Sequence, residues 1–101
     1  MRRIRLEPEA REEFLAAAEW YRERSAAVAR RFVDEVERAI GEIRSDPEIW
    51  PLAPQVAQAL RARRVLLRKF PYALVFVLLG DEIRIVAVAH GRRRPGYWKS
   101  R

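Results

Sequence analysis

The chain opens with Arg3 and Arg5 alternating against Ile4 and Leu6, the period-two pattern of a strand buried on one face. Pro8 follows, a residue at ease in the first turn of a helix, where its missing N–H leaves no bond unmade. From Pro8 to about Arg24 the period changes. Ala10, Phe14, Ala17, Ala18 and Tyr21 recur every three or four residues with charged side chains between them, which predicts an amphipathic helix. Ser25 can cap a second helix, whose apolar stripe of Val28, Phe32, Val36, Ala39, Ile40 and Ile43 stops at Asp46 and Pro47. The short connection between the two predicts an antiparallel helical hairpin.

Pro47, Pro51 and Pro54 crowd the next segment, which is expected to run as a loop plugged by Trp50. Beyond it, ARRVLLRKF, YALVFVLL and EIRIVAVAH read as three strands, rich in branched and aromatic side chains. Pro71 separates the first two, and Gly80 with Asp81 supplies a tight turn between the last two. The order is β-α-α-β-β-β. It predicts an α+β fold in which the hairpin packs on one face of a mainly antiparallel four-stranded sheet and leaves the other face free. A chain of 101 residues, without repeat or linker, is expected to form one domain over 1–101.

Composition narrows the chemistry. With 50% apolar and 35% charged residues the chain has the balance of a globular protein. The absence of cysteine excludes disulfides, thiolate metal sites and thiol catalysis. No metal-ligand spacing and no phosphate-cradling glycine loop appears, so neither metal nor cofactor is expected. The start MRRIRLEPEA has no apolar signal run and the longest apolar stretch is far too short for a bilayer, so a cytoplasmic protein without membrane contact is expected. The charge of +7 is unevenly spread: residues 1–60 carry ten arginines against twelve acids, whereas residues 61–101 carry nine arginines and two lysines against two acids. Such a basic half suits an acidic partner. Nineteen of the twenty-one cations are arginine, whose fixed planar fork matches carboxylate and phosphate.

Several stretches carry a family likeness: EPEAREEF, WYRER, FVDEVERAIGEIRSDPEIWP, and above all RRVLLRKFPYALVF and AHGRRRPGYW. Over nearly its whole length the chain resembles the RelE/ParE superfamily of bacterial type II toxin–antitoxin (plasmid stabilisation) modules. Its two long helices and Pro-Gly-Tyr-Trp ending look more like the ParE branch. That resemblance implies a growth-inhibiting toxin directed at DNA gyrase and neutralised by a cognate antitoxin in a hetero-oligomer; the RelE branch instead cleaves messenger RNA on the ribosome, and a non-toxic relative that keeps the fold and only interacts is the further alternative.

Candidate residues follow from both lines. Arg84, Arg92, Arg93, Arg94, Tyr97 and Trp98 combine the residue types that anchor interfaces and are the expected target contacts. For Trp98 the alternative is that it folds back to close the core. Arg63, Arg64 and Arg68 flank one strand and are the expected antitoxin contacts. A nuclease would need a base, a stabiliser of phosphorane charge and an acid, for which His90, Arg84 or Arg93, and Tyr97 are the candidates. Against it, this chain has only Lys69 and Lys99, whereas the RelE pattern draws on several lysines, and its basic half holds no acids but Asp81 and Glu82. Trp20 and Tyr21 are assigned to packing.

Overall fold

Strand β1 (Arg3–Leu6) runs straight into helix α1 (Pro8–Arg22), and α2 (Ala26–Ser45) follows after three residues. The computed structural model describes residues 2–53 and 61–101; Pro54, the last of the three loop prolines, lies outside them. Helix α1 stops two residues short of expectation. Ser25 has to leave helical geometry, at φ −165° and ψ 118°, for its hydroxyl to accept the Val28 amide and cap α2. Every third or fourth residue of α2 then turns inward, Ala29, Phe32, Val36, Ala39 and Ile43 all being buried.

After a single 3-10 turn at Pro47–Ile49 come β2 (Arg63–Leu66), β3 (Tyr72–Leu79) and β4 (Glu82–His90), in the sheet order β1-β4-β3-β2. The pairings β2–β3 and β3–β4 are antiparallel and β1–β4 is parallel, so the sheet is mixed. β2 ends at Leu66 rather than Phe70, because the Leu67 amide bonds the Tyr72 carbonyl and Lys69, at φ 67°, turns the chain back. That turn delivers Phe70 to the core. Between β3 and β4 the loop has two residues, with Gly80 at φ 60° where a side chain would be strained.

The main core lies between the hairpin and one sheet face, around Phe32, whose ring meets Phe14, Tyr21, Phe70 and Tyr72 at centroid distances of 5.9, 5.2, 5.4 and 5.4 Å. The other sheet face, expected to be free, is partly covered. Trp98 folds back onto it and is 6% exposed, packing with Ala53, Ala62, Val75, Val86 and Ala87. Burying an indole and the valines beneath it removes more apolar surface from water than any solvated arrangement of the tail would.

The register of β3 against β4 slips once. Val75 faces Ala87 but Phe76 faces Ile85, so Val86 is an extra residue in β4. This bulge lies just past the end of β1, where the Glu7 amide bonds the Ile85 carbonyl and the chain departs into α1.

Candidate functional site

After β4 the chain makes a run of turns held by local bonds, Arg93 N–H to His90 O, Tyr97 to Arg94, Lys99 to Gly96 and Arg101 to Trp98. Gly96 sits at φ 77°, a left-handed conformation in which a side chain would be strained, so glycine favours the fold-back of the tail. The fold-back raises Arg92, Arg93 and Arg94 as an exposed ridge while sinking Trp98.

The ridge separates two clefts. One, of about 370 Å3, lies at the end of the sheet where β2, the β2–β3 turn and the end of β4 meet the tail, and is lined by Arg64, Phe70, Tyr72, Arg93, Arg94 and Trp98 among others. The second, of about 470 Å3, runs between α1 and the end of β4 and includes Glu13, Trp20, Tyr21 and Val88. His90, Arg93 and Tyr97 line both. Among the described residues Arg64, Arg92, Arg93 and Arg94 form no ion pair, which leaves four guanidinium groups free for a partner's anions.

The other candidates are placed elsewhere or are already engaged. Arg84 sits six positions before His90 on β4, roughly 20 Å along an extended strand. Its guanidinium pairs with Glu7 and Glu82, both at 2.9 Å, so it joins neither the ridge nor a common catalytic group with His90. Arg63, expected among the antitoxin contacts, donates instead to the carbonyls of Glu48 and Trp50 and fastens the post-helical segment to β2. Its neighbour Arg64, placed in the same group, lines the cleft of the ridge. Arg68 is exposed and approaches Glu42 at 3.8 Å, while its amide donates to Glu35 of α2 at 2.6 Å. Trp98 takes the core alternative and offers no exposed face.

His90 packs edge-on against Tyr72, the ring centroids 5.0 Å apart. Its Nδ1 accepts the Arg92 amide at 3.0 Å, so the neutral ring carries its proton on Nε2. That is the form of a donor, not of a general base, and no carboxylate hydrogen-bonds the ring among the described residues. Tyr97 is likewise occupied: its hydroxyl donates to Glu13 at 2.6 Å. Burial, reinforced by that hydrogen bond, moves the phenol above its ordinary range.

Glu13 was not singled out by the sequence. It lies 75 to 88 residues from the groups it binds: the Val88 amide, the Tyr97 hydroxyl and the Arg101 guanidinium. Burial alone would push its carboxyl up, but the bonds from Arg101, Tyr97 and Val88 prevail and hold it below the usual carboxylate value.

The sequence matches, over residues 4–95, the family model described as the ParE toxin of the type II toxin–antitoxin system, parDE. No curated protein matches it. Among solved structures, the chromosomal ParDE TA system from P. aeruginosa superposes with a TM-score of 0.75 at 16% identity, covering 89% of this chain and 96% of that one. At that identity the likeness concerns the fold: two helices on a four-stranded mixed sheet. The family match extends over more than nine-tenths of the sequence, and the chain belongs to the ParE toxin family of type II toxin–antitoxin systems.

Proposed function

We propose that this protein inhibits growth by binding, its ridge of Arg92, Arg93 and Arg94 and the adjoining cleft engaging DNA gyrase, and that a cognate acidic antitoxin neutralises it in a cytoplasmic hetero-oligomer. What carries the reading is that Arg64, Arg93 and Arg94, which form no ion pair among the described residues, line an aromatic cleft with Arg92 exposed beside them. Arginine and aromatic side chains held on a rigid base are the usual anchors of a protein interface. The groups a nuclease would use lend less support, because the His90 Nδ1 lone pair accepts the Arg92 amide, the Tyr97 hydroxyl is hydrogen-bonded to Glu13 and Arg84 is distant.

The test is supercoiling by purified gyrase. The unmodified protein should inhibit it, and replacing Arg92, Arg93 and Arg94 together by glutamate should abolish inhibition while leaving the thermal midpoint in place. Inhibition that survives the charge reversal refutes the role of the ridge. Ribosome-dependent cleavage of messenger RNA, lost on His90→Ala, would replace this reading by the endonuclease one.

A further inference from the structure

β4 loses its neighbour halfway along. β1 pairs with it only as far as Ile85, and beyond that point the Val86 carbonyl and the Val88 amide are met by side chains instead of a strand. Glu13 of α1 accepts the Val88 N–H at 3.0 Å and Arg101 donates to the Val86 carbonyl at 3.1 Å. Glu13 and Arg101 also pair with each other, at 2.8 and 3.0 Å. One ion pair thus continues a strand edge whose groups would otherwise be unsatisfied.

The same carboxylate reaches the ridge. Its second oxygen accepts a hydrogen bond from the Tyr97 hydroxyl at 2.6 Å, and the Tyr97 ring carries the Arg93 guanidinium on its face, 4.0 Å from the centroid, with Arg101 at 5.0 Å. Past Gly91, whose amide bonds the Pro71 carbonyl, the backbone bonds of the tail are local turns, so its side chains set how the rest of it lies on the sheet. Trp98 sets how deeply the tail sits; Glu13 sets the direction of the Tyr97 ring. Around Glu13 stand the charged or titratable groups Tyr97 and Arg101 of the tail, His90 at the end of β4, Arg93 of the ridge, and Glu9 one turn earlier on its own helix.

We infer that Glu13 is a positioning residue for the basic ridge: through Tyr97 it aims the Arg93 guanidinium at the cleft without touching the partner. The functional half of this inference rests on the ridge being the target surface; the geometric half does not.

Two measurements separate them. In Glu13→Gln the amide offers one acceptor where the carboxylate had two and turns a donor toward a donor. The Arg93 guanidinium protons, shifted upfield by the ring current of Tyr97, should move to ordinary positions, and native trypsin cleavage after Arg92 and Arg93 should accelerate roughly tenfold relative to cleavage in α2. The concentration giving half-inhibition of supercoiling should rise by about the same factor. Tyr97→Phe, which keeps the ring and the bond from Glu13 to Val88 but removes the hydroxyl, should reproduce all three effects and serves if Glu13→Gln does not fold. Arg93 resonances and cleavage rates unchanged in both variants overturn the inference. So does a freed ridge that inhibits gyrase as before, since its aim would then be irrelevant. Should the unmodified protein leave gyrase untouched, the target reading fails while the resonances and cleavage rates still decide what Glu13 does.

Discussion

Phe32 is fully buried and touches four other aromatic rings, from α1, the β2–β3 turn and β3. Phe32→Ala should cost about 3–5 kcal/mol, since the rings around it cannot all collapse into the space left; the midpoint of urea unfolding measures it. Glu13 makes a prediction with a sign. Its pKa is depressed in the folded chain, so its stabilisation is complete above the unfolded value of 4.5 and is lost as pH falls through the lower folded one. The stability advantage of the native protein over Glu13→Gln should therefore be greatest near neutrality and vanish on acidification below about pH 4.5, which unfolding curves at several pH values would record. The apolar stripe that delivers Phe32 to the core was legible from spacing alone. The fate of each arginine was not, because Arg63, Arg84 and Arg94 are chemically alike, and only the fold decides which meets a carbonyl, a carboxylate or water.

At the scale of elements, all four strands and both helices could be read from their periodicities and turn residues, with ends misplaced where a cap or a left-handed residue intervened. The tail was the harder case. Its docking left a trace that simple alternation obscures: Ala73, Leu74, Val75 and Phe76 are buried in succession on β3, as are Ile85 to Val88 on β4. Uninterrupted apolar runs of that kind belong to strands covered on both faces, so a cover for the second face was encoded, though not its identity. Since the cover is Trp98, Trp98→Ala should lower stability by about 3–5 kcal/mol by thermal or chemical denaturation, far beyond what an exposed interface residue would cost.

For the molecule as a whole, the division of charge has a kinetic meaning. Among the described residues seven of the twelve acids in the first sixty positions pair with arginines, Glu19, Asp34 and Glu35 with the neighbouring Arg22, Arg30 and Arg38, whereas the ridge keeps its charge uncompensated. Association with an acidic partner should slow about tenfold between roughly 0.05 and 0.2 M salt, with dissociation changing much less; stopped-flow fluorescence would show it, and equal sensitivity of both rates would discount steering. The pairing of β1 with β4 adds a constraint of another kind. Arg3 lies opposite Glu82, so the sheet cannot close until nearly all of the described chain has left the ribosome. Whatever the finished surface does to a cell, a half-made chain cannot do it.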